Sequence, residues 1–277
     1  MVRKVLLYAK RDAPEAKRRL EEVAAWLKKQ QVRVVDVTRT EGVLDARTLA
    51  GVVLAVVFGG DGTFLRLVRR LERKDKFPVL GINLGTVGFI TDVAPEHAVA
   101  AVADALAGKY PESPRPLLQV ELFRGKKCAA MGFVFNDAVL AKDARTSMLM
   151  FDVIVGDETL SRVRADGYIV ATATGSTAYS LSASGPLMFP DVPANVLVPI
   201  CPHALSSRPM VVSDSVPIEI RPTQFDGSVY LVFDGQISHE IRTGDRIRIT
   251  RSPAALRLVR SPALSWVRAL RTKLDMA

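Results

Sequence analysis

Cysteine, histidine and aromatic side chains are scarce in this 277-residue chain. Its two cysteines, Cys128 and Cys201, stand far apart, which excludes a disulfide framework and any paired-cysteine zinc spacing. The three histidines, His97, His203 and His239, have no metal-ligand spacing, so no zinc or iron site is expected. Long apolar runs are also missing. The longest, Val52 to Phe58, has the length of a strand and falls far short of a membrane span. The opening run Val5 to Ala9 is closed by charges and is too short for a signal peptide. These absences lead us to expect a soluble, cytoplasmic protein with no membrane partner.

What the chain does have is apolar bulk and positive charge. Apolar residues make up 48% of it, enough for a large core and against global disorder. The net charge is +9, and most of it lies between Arg242 and Ala277, where nine Lys/Arg face two Asp/Glu. That stretch lacks interleaved aromatics and any nucleic-acid motif, so nucleic acid is not expected as a partner. A solvated arginine surface accounts for it, or one that steers anionic nucleotides toward a cleft.

The first ninety-odd residues alternate strand and helix patterns. Lys4 to Ala9, Val32 to Val37, Val52 to Phe58 and Pro78 to Asn83 read as strands. Pro14 to Gln30 reads as a helix, with Ala16, Leu20, Val23, Ala24 and Leu27 on one face and proline at the first position. Phe64 to Leu71 and Glu96 to Leu106 read as shorter helices. The expectation is an α/β, Rossmann-like domain over residues 1–108. Pro111, Pro114 and Pro116 punctuate an expected linker, Tyr110 to Leu117. A β-rich domain follows over 109–252, with strands in LLQVELF, GFVFNDAVL, MLMFDVIV, GYIVATA, NVLVPI, SVPIEI, SVYLVFDG and DRIRIT. In the last segment, 253–277, Leu264, Val267, Leu270 and Leu274 share one face of a helix expected to pack back on the α/β domain.

Three motifs carry chemistry. The first is Gly59-Gly60-Asp61-Gly62-Thr63, after a buried strand and at the start of a helix. Glycines let backbone approach a ligand, free amides at a helix start attract phosphate, and ligands of open α/β sheets sit at such corners. No lysine follows, so it is not a Walker loop, and the spacing is not that of the dinucleotide fingerprint. A carboxylate repels phosphate unless it has a task. Asp61 either takes a proton from an attacking hydroxyl, holds Mg²⁺, or merely caps the helix.

The second is Asn136-Asp137, a polar pair in an apolar strand. Asn can pair with an adenine edge and Asp can accept from ribose hydroxyls; the plain alternative is a turn or bulge. The third is Asp166-Gly167 followed by ATATGSTAYSLSASGP from Ala171 to Pro186, a hydroxyl-rich corner leading into a helix near Thr177. Thr174, Thr177, Ser182 and the local amides offer donors to a nucleotide, and Tyr179 can stack on a base, unless the corner is only a capped turn. Phe89 ends the Gly-flanked GTVGF and suits core packing. Arg164 pairs with a phosphate or a nearby carboxylate. His203 reads as structural, and Asp234-Gly235-Gln236 as a hairpin turn before a site.

Together these motifs resemble the NAD kinase family. GGDGT, the Asn–acid pair, DG-x₃-ATATGSTAYSLSASGP, PICPHALSSRP and DGQ follow in that family's order from Val52 to Gln236, and a closing helix carries Arg271, Lys273 and Leu274. GGDGT alone is shared with lipid kinases. Three positions depart from the family pattern: Asp137 replaces the usual glutamate, Ala173 a proline and Ser184 a glycine. The resemblance implies a kinase that phosphorylates the 2′-hydroxyl of NAD with ATP or polyphosphate, binds NAD between its domains and forms a homodimer or homotetramer. It implies that Asp61 activates the hydroxyl, and that Gly59, Gly60, Gly62 and Thr63 face donor phosphates carrying Mg²⁺. Asn136 and Asp137 would hold adenine and ribose. Phe89, Thr177, Ala178 and Tyr179 would line the nucleotide pocket, and Asp166 would sit near the nicotinamide end.

Overall fold

Buried strands followed by amphipathic helices build the first part of the chain. In the computed structural model, which describes residues 3–71, 75–85, 88–262 and 265–275, these are β1 (Lys4–Ala9), α1 (Pro14–Lys29), β2 (Arg33–Asp36), α2 (Ala46–Leu49), β3 (Val52–Phe58), α3 (Asp61–Arg70), β4 (Val79–Ile82) and α4 (Ala98–Leu106). The strands pair in parallel in the order β2-β1-β3-β4, so their carboxyl ends share one edge. Ala16, Leu20, Val23 and Leu27 of α1 bury the expected face against Val5, Leu7, Leu54 and Val56. α3 starts at Asp61, three residues before the expected Phe64. Gly60 is its cap, and the Thr63 N–H donates to the Gly60 carbonyl, so the glycine corner is itself the first turn.

Two compact units result: Met1–Pro114 with Ala255–Ala277, and Arg115–Ala254. The proline-rich stretch expected as a linker is instead the start of a 13-residue strand, β5 (Glu112–Arg124). Proline's fixed φ suits extended backbone, and Pro114 and Pro116, two apart, place their missing donors on the same edge.

The chain continues with β6 (Lys127–Val134), β7 (Asp137–Lys142), β8 (Leu149–Val155), β9 (Glu158–Arg164), β10 (Gly167–Thr172), α5 (Tyr179–Ser182), β11 (Ala194–Ile200), β12 (Met210–Ser213), β13 (Ile218–Phe225), β14 (Val229–Phe233), β15 (Ile237–Glu240) and β16 (Asp245–Val259), whose last five residues belong to the first unit. One antiparallel layer runs β12-β11-β10-β7-β14-β15. Val120, Phe151, Val153, Ile218 and Ile247 meet Leu140, Tyr168, Val170 and Leu231 of that layer in one core. GFVFNDAVL, expected as one strand, breaks after Val134, and pairing resumes at Asp137.

β16 was expected to end near Ile249 but runs on to Val259, where Leu258 and Val259 pair in parallel with Val79 and Leu80 of β4. The last helix, α6 (Trp266–Leu274), is capped by the Ser265 hydroxyl, which accepts from the Arg268 N–H. It buries Ala269 and Leu270, whereas Val267 of the expected stripe is exposed and Leu264 lies outside the described residues.

Candidate active site

Asp61 is the first residue of α3 but does not cap it. Its carboxylate turns to the segment after β4. Oδ2 accepts from the Phe89 N–H at 3.0 Å, and Oδ1 accepts from the N–H groups of Ile90 at 3.3 Å and Thr91 at 3.0 Å. The Thr91 hydroxyl donates to Oδ1 at 2.9 Å and accepts from Asn83 Nδ2 at 3.0 Å. Asn83 also donates to the Thr91 carbonyl, and its Oδ1 accepts from the Gly85 N–H. Four donors thus fix a half-buried carboxylate in one orientation. Side chains are excluded close by: a methyl on Gly59 would lie 2.6 Å from Thr63 Oγ1, and one on Gly88 would overlap Asp61 itself.

The segment that grips Asp61 is held from behind. Arg260 Nη1 donates to the Phe89 carbonyl at 2.8 Å, and its Nε lies 3.1 Å from Asp92 Oδ2, which also accepts from the Ser261 N–H. Burial pushes the Asp92 carboxyl up to about 6 against the pull of Arg260. The Phe89 ring is half-buried, with Lys273 Nζ 5.2 Å from its centroid. Thr91, Asp92, Gly88 and Arg260 were not singled out in the sequence. The signal available was Thr91-Asp92, a polar pair between apolar residues.

In the second unit the Asn136-Asp137 pair is set by Asp234. This residue holds φ +48° in its turn, and its carboxylate accepts from the N–H groups of Phe135 at 2.9 Å, Asn136 at 2.7 Å and Asp137 at 3.1 Å. The hairpin-turn reading of Asp234 was therefore incomplete. The Asp137 side chain is buried. That burial, and then the charge of Asp234, push its carboxyl up to about 7, against a hydrogen bond from the Tyr179 backbone. The pair lines a cavity of about 320 Å³ with Ala178, Tyr179, Asp234 and Gly235, walled by Val139, Ala141 and Val232. Asn136 Oδ1 is buried with no hydrogen-bond partner among the described residues.

The hydroxyl-rich segment packs behind this pair. The corner expected to lead into a helix near Thr177 is a 3₁₀ turn, Thr174–Thr177, followed by α5 from Tyr179. A methyl on Gly175 would overlap the Asn136 carbonyl, so the turn lies directly on the pair's backbone. Thr172 donates to the Phe135 carbonyl, and Ser176 donates to the Ala173 carbonyl. Thr177 spends its hydroxyl on the Thr174 carbonyl, while Thr174 Oγ1 is buried without a partner among the described residues. Tyr179 is 47% exposed.

Other sequence candidates lie off this cavity's lining. Asp166 pairs with Lys142 at 2.9 Å. Arg164 is exposed and offers its carbonyl to the His203 N–H. Ser182 is exposed at the end of α5, and Gln236 closes its turn through its N–H on the Phe233 carbonyl. Among the described residues no group of three His, Cys, Asp or Glu stands together as a metal site.

A parallel α/β unit with a Gly-Gly-Asp-Gly-Thr corner and a β-rich unit with a polar-floored pocket define a nucleotide-dependent phosphotransferase of two-unit design. Residues 36–110 match the ATP-NAD kinase N-terminal domain, and residues 135–261 match the ATP-NAD kinase C-terminal domain. An NAD kinase of Aromatoleum aromaticum is 38% identical over 98% of this chain and 93% of its own length. One from Syntrophotalea carbinolica is 35% identical over 99% and 98%. The crystal structure of yeast NADH kinase complexed with NADH is similar with a TM-score of 0.89 and 26% identity, covering 99% of this chain and 88% of that one. That of an NAD kinase from Archaeoglobus fulgidus in complex with ATP gives 0.78 and 25%, covering 99% and 96%. The chain belongs to the NAD kinase family.

Proposed function

We propose that this chain transfers the γ-phosphoryl group of ATP to the 2′-hydroxyl of the adenosine ribose of NAD, giving NADP and ADP, with Asp61 as the group that takes the hydroxyl proton. The observation that carries this reading is the fixed Asp61 carboxylate at a glycine corner. Phosphoryl transfer asks a protein mainly for positioning and charge stabilisation. Asp61 is aimed by four donors, beside glycines that leave the backbone open to phosphate. In the step, the ribose O–H bond breaks and its proton passes to Asp61. The oxygen bonds to the γ-phosphorus, and the bond from that phosphorus to the β–γ bridging oxygen breaks, with ADP leaving.

Asn136 and Asp137 take the adenosine end. Asn136 brings a buried acceptor with no partner among the described residues, and Asp137 a desolvated carboxyl suited to a sugar hydroxyl. Ala178 and Tyr179 wall that pocket and Thr174 adds a buried hydroxyl, while Phe89, Thr177, Ser182, Arg164, Asp166 and Gln236 have a lesser place in this reading. Among the described residues no group of three His, Cys, Asp or Glu stands by Asp61 to hold a metal. Magnesium therefore enters as part of the substrate, MgATP, and no residue here is assigned to it. The reading includes a cytoplasmic location, consistent with the lack of any described helix long and apolar enough to cross a membrane. It also includes self-association as a homodimer or homotetramer, for which the exposed Met210 and Val211 of edge strand β12 offer apolar surface.

The test is direct. Purified protein with NAD and MgATP forms NADP, detected by an NADP-specific dehydrogenase; ATP hydrolysis without NADP, or turnover with a diacylglycerol instead, overturns the reading. Tripolyphosphate in place of ATP shows whether the donor must carry a nucleoside.

A further inference from the structure

We infer that the crevice at the carboxyl ends of β1 and β2 receives the nucleoside of the triphosphate donor, with Asp36 on its ribose hydroxyls. This deepens the proposed function and rests on it only for the location of phosphoryl transfer. The crevice has a volume of about 880 Å³, the size of a nucleotide site, and lies wholly within the first unit.

Its place follows from strand order. The glycine corner follows β3, which has β1 on one side and β4 on the other. The β4 side carries the 88–91 segment that grips Asp61 and the Asn83–Thr91 hydrogen bonds. On the β1 side the chain leaves at Lys10, whose N–H donates to the Phe58 carbonyl at 2.8 Å, just before Gly59. The loop from Lys10 to Pro14 is one wall of the crevice, so the crevice opens one strand away from the phosphate corner at the same sheet edge. A donor with its γ-phosphate at Gly59–Thr63 can lay its remaining atoms on that side, along the Lys10–Pro14 loop.

The chemistry fits such a ligand. Lys10 and Arg11 line the crevice and supply cations for the donor's bridging phosphates. Arg11 is anchored on the carbonyls of Thr38 and Thr40 and lies 3.5 Å from Glu41. Asp36, the last residue of β2, lines the opposite wall. One of its oxygens accepts from the Thr38 N–H at 2.9 Å and the side chain is exposed. An acidic group after the second strand of a Rossmann-like unit is where ribose hydroxyls are bound. Lys17 and Leu20 of α1 supply the methylene and apolar face on which a base can lie.

Two variants test this in the full chain, Asp36→Ala and Lys17→Trp, the second filling the crevice from an exposed helical position. In calorimetric titrations with the non-hydrolysable analogue AMP-PNP and Mg²⁺, each is expected to weaken binding about tenfold or more. Tripolyphosphate, which lacks the nucleoside, should bind as it does to the parent, and the KM for NAD should stay within about twofold. Unchanged AMP-PNP affinity in both variants, with thermal unfolding like the parent's, overturns the inference. So does a selective rise in the KM for NAD, which would give the crevice to the acceptor. If the parent forms no NADP yet its AMP-PNP affinity falls in the variants as stated, the crevice stands and the proposed function falls.

Discussion

Gly88 and Asp61 are matched by exclusion: the glycine's missing side chain is the space that Asp61 Oδ1 occupies. The 88–91 segment can bring three consecutive N–H groups to that carboxylate only because no methyl stands in the way. Gly88→Ala should leave the rest of the fold intact but displace either the segment or the carboxylate. A misplacement of about 1 Å costs on the order of 100-fold in rate, so kcat should fall by about that much, with a smaller change in the KM for NAD. Steady-state kinetics at saturating ATP checks this.

Arg260 acts on the same carboxylate through the Phe89 carbonyl and Asp92. Arg260→Met leaves Asp92 buried without its cation, a loss of about 3–5 kcal/mol for a broken buried pair. The sign with pH follows from Asp92. Its folded pKa, about 6, lies above the value it has when unfolded, so its contribution to stability declines as pH rises from about 4 to 6. Without Arg260 the proton is held more tightly and the decline extends to higher pH. Thermal unfolding should show a larger loss for the variant at pH 8 than at pH 5. Arg260→Lys, which keeps a charge near Asp92, should recover part of the stability and less of kcat.

Asp137 makes the clearest pH prediction. Folded, it keeps its proton up to about pH 7 because it is buried beside Asp234; unfolded, it releases it near 4. Between those values the folded state binds the extra proton, so stability falls as pH rises through the window. Asp137→Asn removes that slope. The variant should melt above the parent at pH 8 by about 3 °C or more, with the advantage gone at pH 4. At pH 8, where the parent carboxyl is charged, the variant's KM for NAD should be higher by roughly tenfold, the worth of a lost sugar hydrogen bond to a charged group.

Two of the three departures from the family pattern have a backbone reading. Ser184 sits at φ +64°, where glycine is at ease and a residue with a side chain is strained. Ala173 has φ −55°, within reach of proline's fixed value. Ser184→Gly and Ala173→Pro should therefore each raise stability by about 0.5 kcal/mol, a degree or two in Tm, without altering kcat. Calorimetric melting of the two single variants and the double variant checks both.

Much of the architecture was legible because burial on both faces leaves continuous apolar runs. Val52–Phe58 and Lys4–Ala9 have the bounds read from the chain. The strands that were not expected, β9, β12 and β15, all lie at sheet edges, where a strand is short or largely exposed and leaves little apolar pattern in the sequence. Prolines misled at Pro114 and Pro116, because a strand tolerates them wherever no ladder donor is needed. The site was legible as a set of motifs but not as a set of contacts. Nothing local joins Asp61 to Thr91, or Asp234 to Asn136, since these pairs are about 30 and 98 positions apart and meet only through the sheets.

The most direct test replaces Asp61 with asparagine, which keeps the size of the side chain and removes its capacity to take a proton. With NAD and MgATP at saturation, Asp61→Asn should retain a cooperative thermal transition while kcat drops by about 100-fold or more, the usual worth of a positioned general base. A folded variant that turns over at close to the parent rate would contradict the role given to this carboxylate.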